Sequence, residues 1–169
     1  MPQPVTVYRW DDPGAPQIGS ANLWAGFLNI LKKCLVEGYG AKAAAGWTVE
    51  YEDVPGNKCV FRNDPAMGSG GYVQFQRQDN FLVWCKSATS MTGIDSYVND
   101  GYMNAIQLSG TNMNNCKWIV LATATGFYFS AFPAAVNTYN NHSEAFTFFV
   151  GDFISAIKND PGTFIISAT

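Results

Sequence analysis

Residues 20–52 decide the fold of this chain, because a helical pattern changes there into a strand pattern: SANLWAGFLNILKKCLVEGYGAKAAAGWTVEYE. Apolar residues first recur every three or four positions, which predicts a helix over Ser20–Glu37. Its buried stripe is expected to contain Leu23, Phe27, Ile30, Leu31, Cys34 and Leu35. Ser20 is the expected N-cap, and Gly38 and Gly40 are expected to end the helix. After Gly46 the period becomes two, which predicts a strand over Trp47–Glu52.

Short alternating segments follow along most of the chain and are typical of strands separated by turns. They are Val5–Trp10, Lys58–Arg62, Tyr72–Arg77, Phe81–Lys86, Met103–Leu108, Cys116–Thr123, Gly126–Phe132, Ala145–Val150 and Thr163–Ser167. Thr92–Val98 is a candidate for a short helix, and Pro133–Glu144 is expected to be a polar loop. We therefore expect an α+β fold, mainly β, in which one N-terminal amphipathic helix packs on an antiparallel sheet. Residues 1–169 should form a single domain.

The composition indicates a folded chain with more aromatic side chains than one small core needs. Charged residues make up 14% of the 169 residues and hydrophobic residues 47%, whereas charged residues are roughly 25% of an average soluble domain. The 12 Phe, 8 Tyr and 5 Trp would each bury roughly 150–250 Å². Some of these rings are therefore expected at contacts with other chains, where aromatic residues are enriched.

Charge and hydropathy argue against two classes of partner. The net charge is −3 and no cluster of Lys or Arg is present, so a nucleic-acid partner is not expected. No apolar run approaches the roughly 20 residues of a membrane span, and the N-terminus lacks the pattern of a secretory signal. We expect a protein made in the cytoplasm, without membrane contact.

The four cysteines, Cys34, Cys59, Cys85 and Cys116, are scattered in apolar surroundings and form no CxxC pair. Buried free thiols are the expected state in a reducing compartment. Disulfides formed after cell lysis are the alternative, and a metal site is disfavoured by the ligand spacing.

A search for catalytic groups finds little. The single histidine, His142, lies in a polar segment, where a catalytic or ligand role is not expected, and a multi-histidine metal site cannot be assembled from one histidine. Glu50 and Glu52 are interpreted as the solvent face of a strand, Asp53 as the start of the turn over residues 53–57, and Asp152 as a turn residue. Gly68–Gly71 is interpreted as a turn rather than a phosphate loop. No catalytic, cofactor-binding or metal-binding residue is predicted.

An interface is predicted instead, around the strand Gly126–Phe132 and the segment after it. Its aromatic residues fall on both faces of the strand, and a two-layer domain can bury only one face internally. The predicted interface residues are Phe127, Tyr128, Phe129, Phe132, Pro133 and Val136. The alternative is that the helix covers one face of this strand and the following loop covers the other.

Two blocks of sequence resemble a known family. The first contains DPGAP at 12–16, LNILKKCLVEGYG at 28–40 and GWT at 46–48; the second contains WIV at 118–120, GFYF at 126–129 and FFVGDFIS at 148–155. Together they resemble a family of uncharacterised proteins encoded among the virion genes of tailed phages and prophages. Members of that family often carry an Asp-Ala pair where this chain has Asp160-Pro161-Gly162.

The resemblance implies a non-enzymatic structural component of a tailed-phage particle, either a capsid decoration or a neck or tail component. Its expected partners are other virion proteins and copies of itself, and its expected location is the virion, assembled in the host cytoplasm. The alternative is a carbohydrate- or receptor-binding module at the tail tip. A cell-wall hydrolase is a third hypothesis and requires a cleft that holds two carboxylates.

Overall fold

A computed structural model of the chain describes residues 3–19, 21–108, 116–132, 146–156, 158 and 163–168. One α-helix, α1, spans Leu23–Lys32 and continues as a π-helical segment, Lys33–Glu37. The strands in chain order are β1 Thr6–Arg9, β2 Thr48–Asp53, β3 Lys58–Arg62, β4 Tyr72–Arg77, β5 Leu82–Met91, β6 Tyr97–Asp100, β7 Asn104–Gln107, β8 Lys117–Ala122, β9 Gly126–Phe132, β10 Phe146–Asp152 and β11 Phe164–Ala168. The predicted class, α+β and mainly β, is confirmed.

The strands divide into two antiparallel sheets, which is one more than the sequence pattern indicated. A five-stranded sheet has the order β1-β8-β9-β10-β11, and a six-stranded sheet has the order β2-β3-β4-β5-β6 with β7 also paired to β5. In the second sheet, β2 to β5 form a meander, because each strand pairs with the next one along the chain. In the first sheet, β1 pairs with β8, more than 100 residues away, and local periodicity carries no information on such a pairing.

The helix packs its predicted stripe into the core between the two sheets. Leu23, Phe27, Ile30, Leu31 and Cys34 are all buried, as expected from the sequence. The N-terminal cap of the helix is not the residue expected from the sequence. The cap is Asn22, whose Oδ1 accepts a hydrogen bond from the Ala25 backbone N–H at 3.1 Å, and the predicted cap, Ser20, is outside the described residues.

Aromatic rings join the helix to both sheets. The Phe27 ring lies 5.5 Å, centroid to centroid, from Phe75 of the six-stranded sheet and 5.5 Å from Phe129 of the five-stranded sheet. Phe75 and Phe148 also contact each other across the two sheets, at 6.1 Å. One core therefore holds all three layers together, and the inner face of the five-stranded sheet is fully occupied.

The segment after β5 is not a helix, so the prediction for Thr92–Val98 was wrong. β5 continues to Met91, a turn follows in which Asp95 has a left-handed backbone (φ 60°), and β6 begins at Tyr97. The turn is stabilised by hydrogen bonds that replace helical ones: the Gln74 side chain accepts from the Asp95 N–H at 2.9 Å and donates to its carboxylate at 2.7 Å. The predicted loop Pro133–Glu144 lies outside the described residues.

Candidate interaction surface

The outward side of the five-stranded sheet carries apolar side chains where a monomeric sheet usually carries polar ones. Alternation along each strand sends one set of residues into the core, among them Trp118, Val120, Phe127, Phe129 and Phe148. The other set forms what we call the outer face: Val7, Arg9, Lys117, Ile119, Leu121, Tyr128, Ser130, Phe132, Thr147, Phe149, Ile165 and Ser167. Seven of these twelve side chains are apolar or aromatic.

A continuous row of outer-face residues crosses all five strands. The strand register places Val7 beside Leu121, Leu121 beside Tyr128, Tyr128 beside Phe149, and Phe149 beside Ser167. The exposed fractions of Val7, Leu121 and Tyr128 are 39%, 36% and 52%. Cross-strand neighbours on one face of a sheet contact each other directly. The row is therefore one patch rather than isolated exposed residues.

The centre of the patch is held rigidly. The Tyr128 and Phe149 rings are 4.7 Å apart, centroid to centroid. The Phe149 ring also lies over two paired glycines, Gly126 and Gly151, where added Cβ atoms would be 3.2 and 3.1 Å from ring carbons. A Cβ on Gly151 would moreover lie only 2.4 Å from the Cα of Gly126. These glycines are needed for the close approach, and they fix the position of the ring.

The patch extends along the strands beside this row. Ile119 and the pair Ser130–Thr147, whose hydroxyls are 2.8 Å apart, form the next row. Phe132 follows and is 44% exposed. One of these two hydroxyls donates to the other, so a dry contact at this row costs less than the burial of two unpaired hydroxyls.

The charges of the outer face lie at its β1–β8 side. Arg9 forms an ion pair with Asp11 at 2.8 Å, and the Lys117 ammonium lies 5.8 Å from the centroid of the Trp10 ring. The described outer-face residues of β9, β10 and β11 carry no ionisable carboxylate or cation. A partner can therefore cover the middle of this surface without desolvating a charge there.

The six-stranded sheet differs, because its outward side is covered by the chain itself. The segment after β5 packs there, and Met91, Ile94 and Tyr97 join Val60 and Tyr72 in a second hydrophobic cluster. The polar side chain of Gln74, only 2% exposed on that side, is satisfied by Asp95. The chain thus covers the outward side of one sheet, whereas Val7, Leu121, Tyr128 and Phe132 on the outer face of the other are exposed, and no described segment covers them.

The predicted interface residues fall into three groups. Phe127 and Phe129 are in the core of their own chain, 1% and 0% exposed, so they offer no surface to a partner. Tyr128 and Phe132 lie on the outer face, and their interface role stays a prediction. Pro133 and Val136 are outside the described residues.

Sequence reasoning missed the other apolar members of the outer face, notably Val7, Leu121 and Phe149. The signal was present: Ile119 and Leu121 alternate with Trp118 and Val120, so a strand apolar on both sides was visible. The register that brings Val7 next to Leu121 was not visible.

The carboxylates considered for hydrolysis serve local structure. Glu52 pairs with Lys32 at 2.6 Å, Glu50 accepts a hydrogen bond from the Thr48 hydroxyl at 2.7 Å, and Asp53 accepts one from the Gly56 N–H at 2.9 Å. Each carboxylate is thus engaged with a neighbour, and their strand, β2, lies in the six-stranded sheet, away from the outer face.

Asp152 organises a turn, as predicted, but the turn belongs to a distant glycine-rich segment. Its carboxylate accepts hydrogen bonds from the Ser69 N–H and from the Asn63 side-chain amide, both at 2.8 Å. Gly68 is required there, because a Cβ would lie 2.4 Å from the same carboxylate. Gly68–Gly71 therefore acts as a tethered connection between β3 and β4.

All four cysteines are free and buried, as expected. Burial raises the pKa of the Cys59 and Cys85 thiols to about 12 and that of Cys116 to about 11. Reactive cysteines have low pKa values and access to solvent, so these thiols are structural. Within the described ranges, no group of three His, Cys, Asp or Glu side chains could hold a metal ion. In that same part of the chain, no helix has the length and apolarity to cross a bilayer.

No protein-family model, curated protein or solved structure matches this chain.

Proposed function

We propose that this protein is a non-enzymatic structural component of a tailed-phage particle and that it acts through protein–protein contacts made by its outer face. The observation that carries the proposal is the continuous exposed row on the five-stranded sheet, centred on Tyr128. Exposed apolar patches of this kind mark interaction sites in soluble proteins. Two sequence blocks resemble a family of virion proteins, and this resemblance is the reason for proposing a phage particle as the assembly.

The chemistry of the described residues supports a binding role over catalysis. The carboxylates at 50, 52, 53 and 152 are engaged in local ion pairs or hydrogen bonds, and the thiols are buried with raised pKa values. An active site instead brings perturbed, accessible groups together in a cleft. The outer face instead exposes apolar side chains along a sheet, and these are suited to contact with another protein surface.

A glycan-binding module at the tail tip is the second candidate. An exposed ring with hydroxyls nearby is the usual platform for a sugar, and Tyr128 has Ser130 two residues further along the same strand face. Its flanking neighbours, Leu121 and Phe149, are apolar, however, and this favours a protein partner over a polyol. Binding of soluble host glycans by the purified protein, lost in Tyr128→Ser, would favour this second candidate.

Quantitative mass spectrometry of purified particles of the encoding phage tests the proposal. We expect peptides of this chain to co-purify with the particle at constant stoichiometry. Copies in the hundreds would indicate capsid decoration, and a few to a few dozen would indicate the neck or tail. A protein abundant in infected cells and missing from purified particles would refute the proposed function.

A further inference from the structure

We infer that the outer face pairs with the outer face of a second copy of this chain, forming a two-fold dimer of face-to-face sheets. The inference rests on the proposed function, because it names the partner of the same surface.

The order of residues in the central row is what suits a second copy. Tyr128 lies on β9, the third of five strands, with Leu121 and Phe149 on either side of it. A two-fold axis along β9 places Tyr128 against its own copy, Leu121 against the copy's Phe149, and Val7 against the copy's Ser167. A two-fold interface needs such self-complementarity, in which each contact occurs twice. The Phe149 ring of one copy then contacts Leu121 of the other, and Val7 of one copy contacts Ser167 of the other.

The same axis keeps like charges apart. Arg9 and Lys117 lie on β1 and β8, which the axis places over β11 and β10 of the second copy. The outer-face residues described there are Thr147, Phe149, Ile165 and Ser167, which are uncharged. Among the outer-face residues that the structure describes, the cations of one copy therefore have only neutral side chains near them on the other, and no like charge there opposes the contact.

The area of the outer face indicates which class of interface two copies would form. The strands of this sheet have four, six, seven, seven and five residues. At about 3.4 Å per residue and a strand spacing of about 4.8 Å, they give roughly 470 Å² per copy and roughly 950 Å² per dimer. This value lies near the lower limit of ~1,000 Å² for a specific interface. Interfaces of this size are typical of weak, transient complexes, so the dimer should be reversible. The Tyr128 and Phe149 rings already contact each other within the monomer, which limits the side-chain entropy lost on binding.

Analytical ultracentrifugation over a wide concentration range tests the dimer, with Tyr128→Ser as the disrupting variant. Tyr102→Ser is the matched control, because Tyr102 is 95% exposed and lies outside the five-stranded sheet. We expect wild type and the control to dimerise alike and Tyr128→Ser to dissociate at least about tenfold more readily. A circular-dichroism spectrum unchanged in Tyr128→Ser shows that the fold is retained. A chain that stays monomeric up to several hundred micromolar, or a dimer insensitive to Tyr128→Ser, overturns the inference.

Crosslinking tests the orientation while leaving the rings in place. Ser130 lies on β9 and on the axis, so Ser130→Cys should link to its own copy through a short bis-maleimide. Ser167 lies on the outermost strand β11, so Ser167→Cys should not. The native cysteines are buried and give no background. Equal self-linking of both variants, or linking of Ser167→Cys alone, contradicts the geometry.

These results separate the inference from the function on which it rests. A monomer that still enters phage particles would refute the dimer and leave the proposed function standing. A dimer that never enters particles would refute the proposed function instead.

Discussion

Replacing Phe27 tests whether the helix holds the two sheets together. The Phe27 ring is fully buried and contacts Phe75 of the six-stranded sheet as well as Phe129 and Phe148 of the five-stranded sheet. Phe27→Ala removes a whole ring from the point where the helix contacts both sheets. The cavity that is left cannot close unless both sheets move. We expect a loss of about 3–5 kcal/mol in the free energy of unfolding, the usual cost of a buried Phe→Ala change.

Urea unfolding in the presence of a thiol reductant measures this loss, with Leu28→Ala as the control. Leu28 is on the same helix but only partly buried, so its truncation should cost about 1–2 kcal/mol. The loss expected for Phe27→Ala is a large part of a total stability of the order of 5–15 kcal/mol. Phe27→Leu is therefore included as a milder variant, expected to lose about 1–2 kcal/mol. A cost of Phe27→Ala no larger than that of Leu28→Ala would refute this role of the ring.

Three further predictions concern stability, pH and thiol reactivity. Gly151→Ala should destabilise the fold by about 1–3 kcal/mol, because its Cβ would lie 2.4 Å from the Cα of Gly126. Gly93→Ala is the control and should be nearly neutral, because no atom lies within 4 Å of the added Cβ. Equal effects of the two changes in thermal unfolding would contradict this prediction. The hydrogen bond from Lys58 lowers the pKa of the Asp95 carboxyl in the folded protein. The ionised carboxylate therefore stabilises the fold above the unfolded-state pKa of about 3.9, and this stabilisation is lost as the pH falls through the pKa of the folded state. Asp95→Asn should therefore reduce stability at pH 7, and the difference from wild type should shrink as the pH falls below about 3.9. A pH-independent difference would count against the pairing. A thiol reagent at pH 8 should label none of the four cysteines in the native protein and all of them after denaturation.

The local pattern of the sequence was sufficient for most elements. Strands β3, β4 and β9 begin and end at the predicted residues, and the helical stripe from Leu23 to Cys34 is buried as expected. These segments have a clear period of two or of three to four residues. Where the period was weak, at Thr92–Val98, the prediction of a helix failed, because the Gln74 side chain, distant in sequence, stabilises a turn there.

The division into two sheets and the outer face could not be predicted in the same way. Both depend on which strands become neighbours, and β1 and β8 are brought together by the core rather than by any local signal. The prediction that aromatic residues lie on both faces of this strand is confirmed, because Phe127 and Phe129 point inward and Tyr128 and Phe132 outward. The full extent of the surface required the register across all five strands.

The most direct test of the account is competitive incorporation into phage particles. Host cells would supply wild-type protein and a tagged Tyr128→Ser variant at equal levels, and the ratio of the two would be measured in purified particles. We predict that the variant is depleted at least about tenfold and that a tagged Tyr102→Ser variant enters particles as well as wild type. Equal incorporation of the Tyr128→Ser variant would contradict the claim that this protein joins the particle through the outer face of its five-stranded sheet.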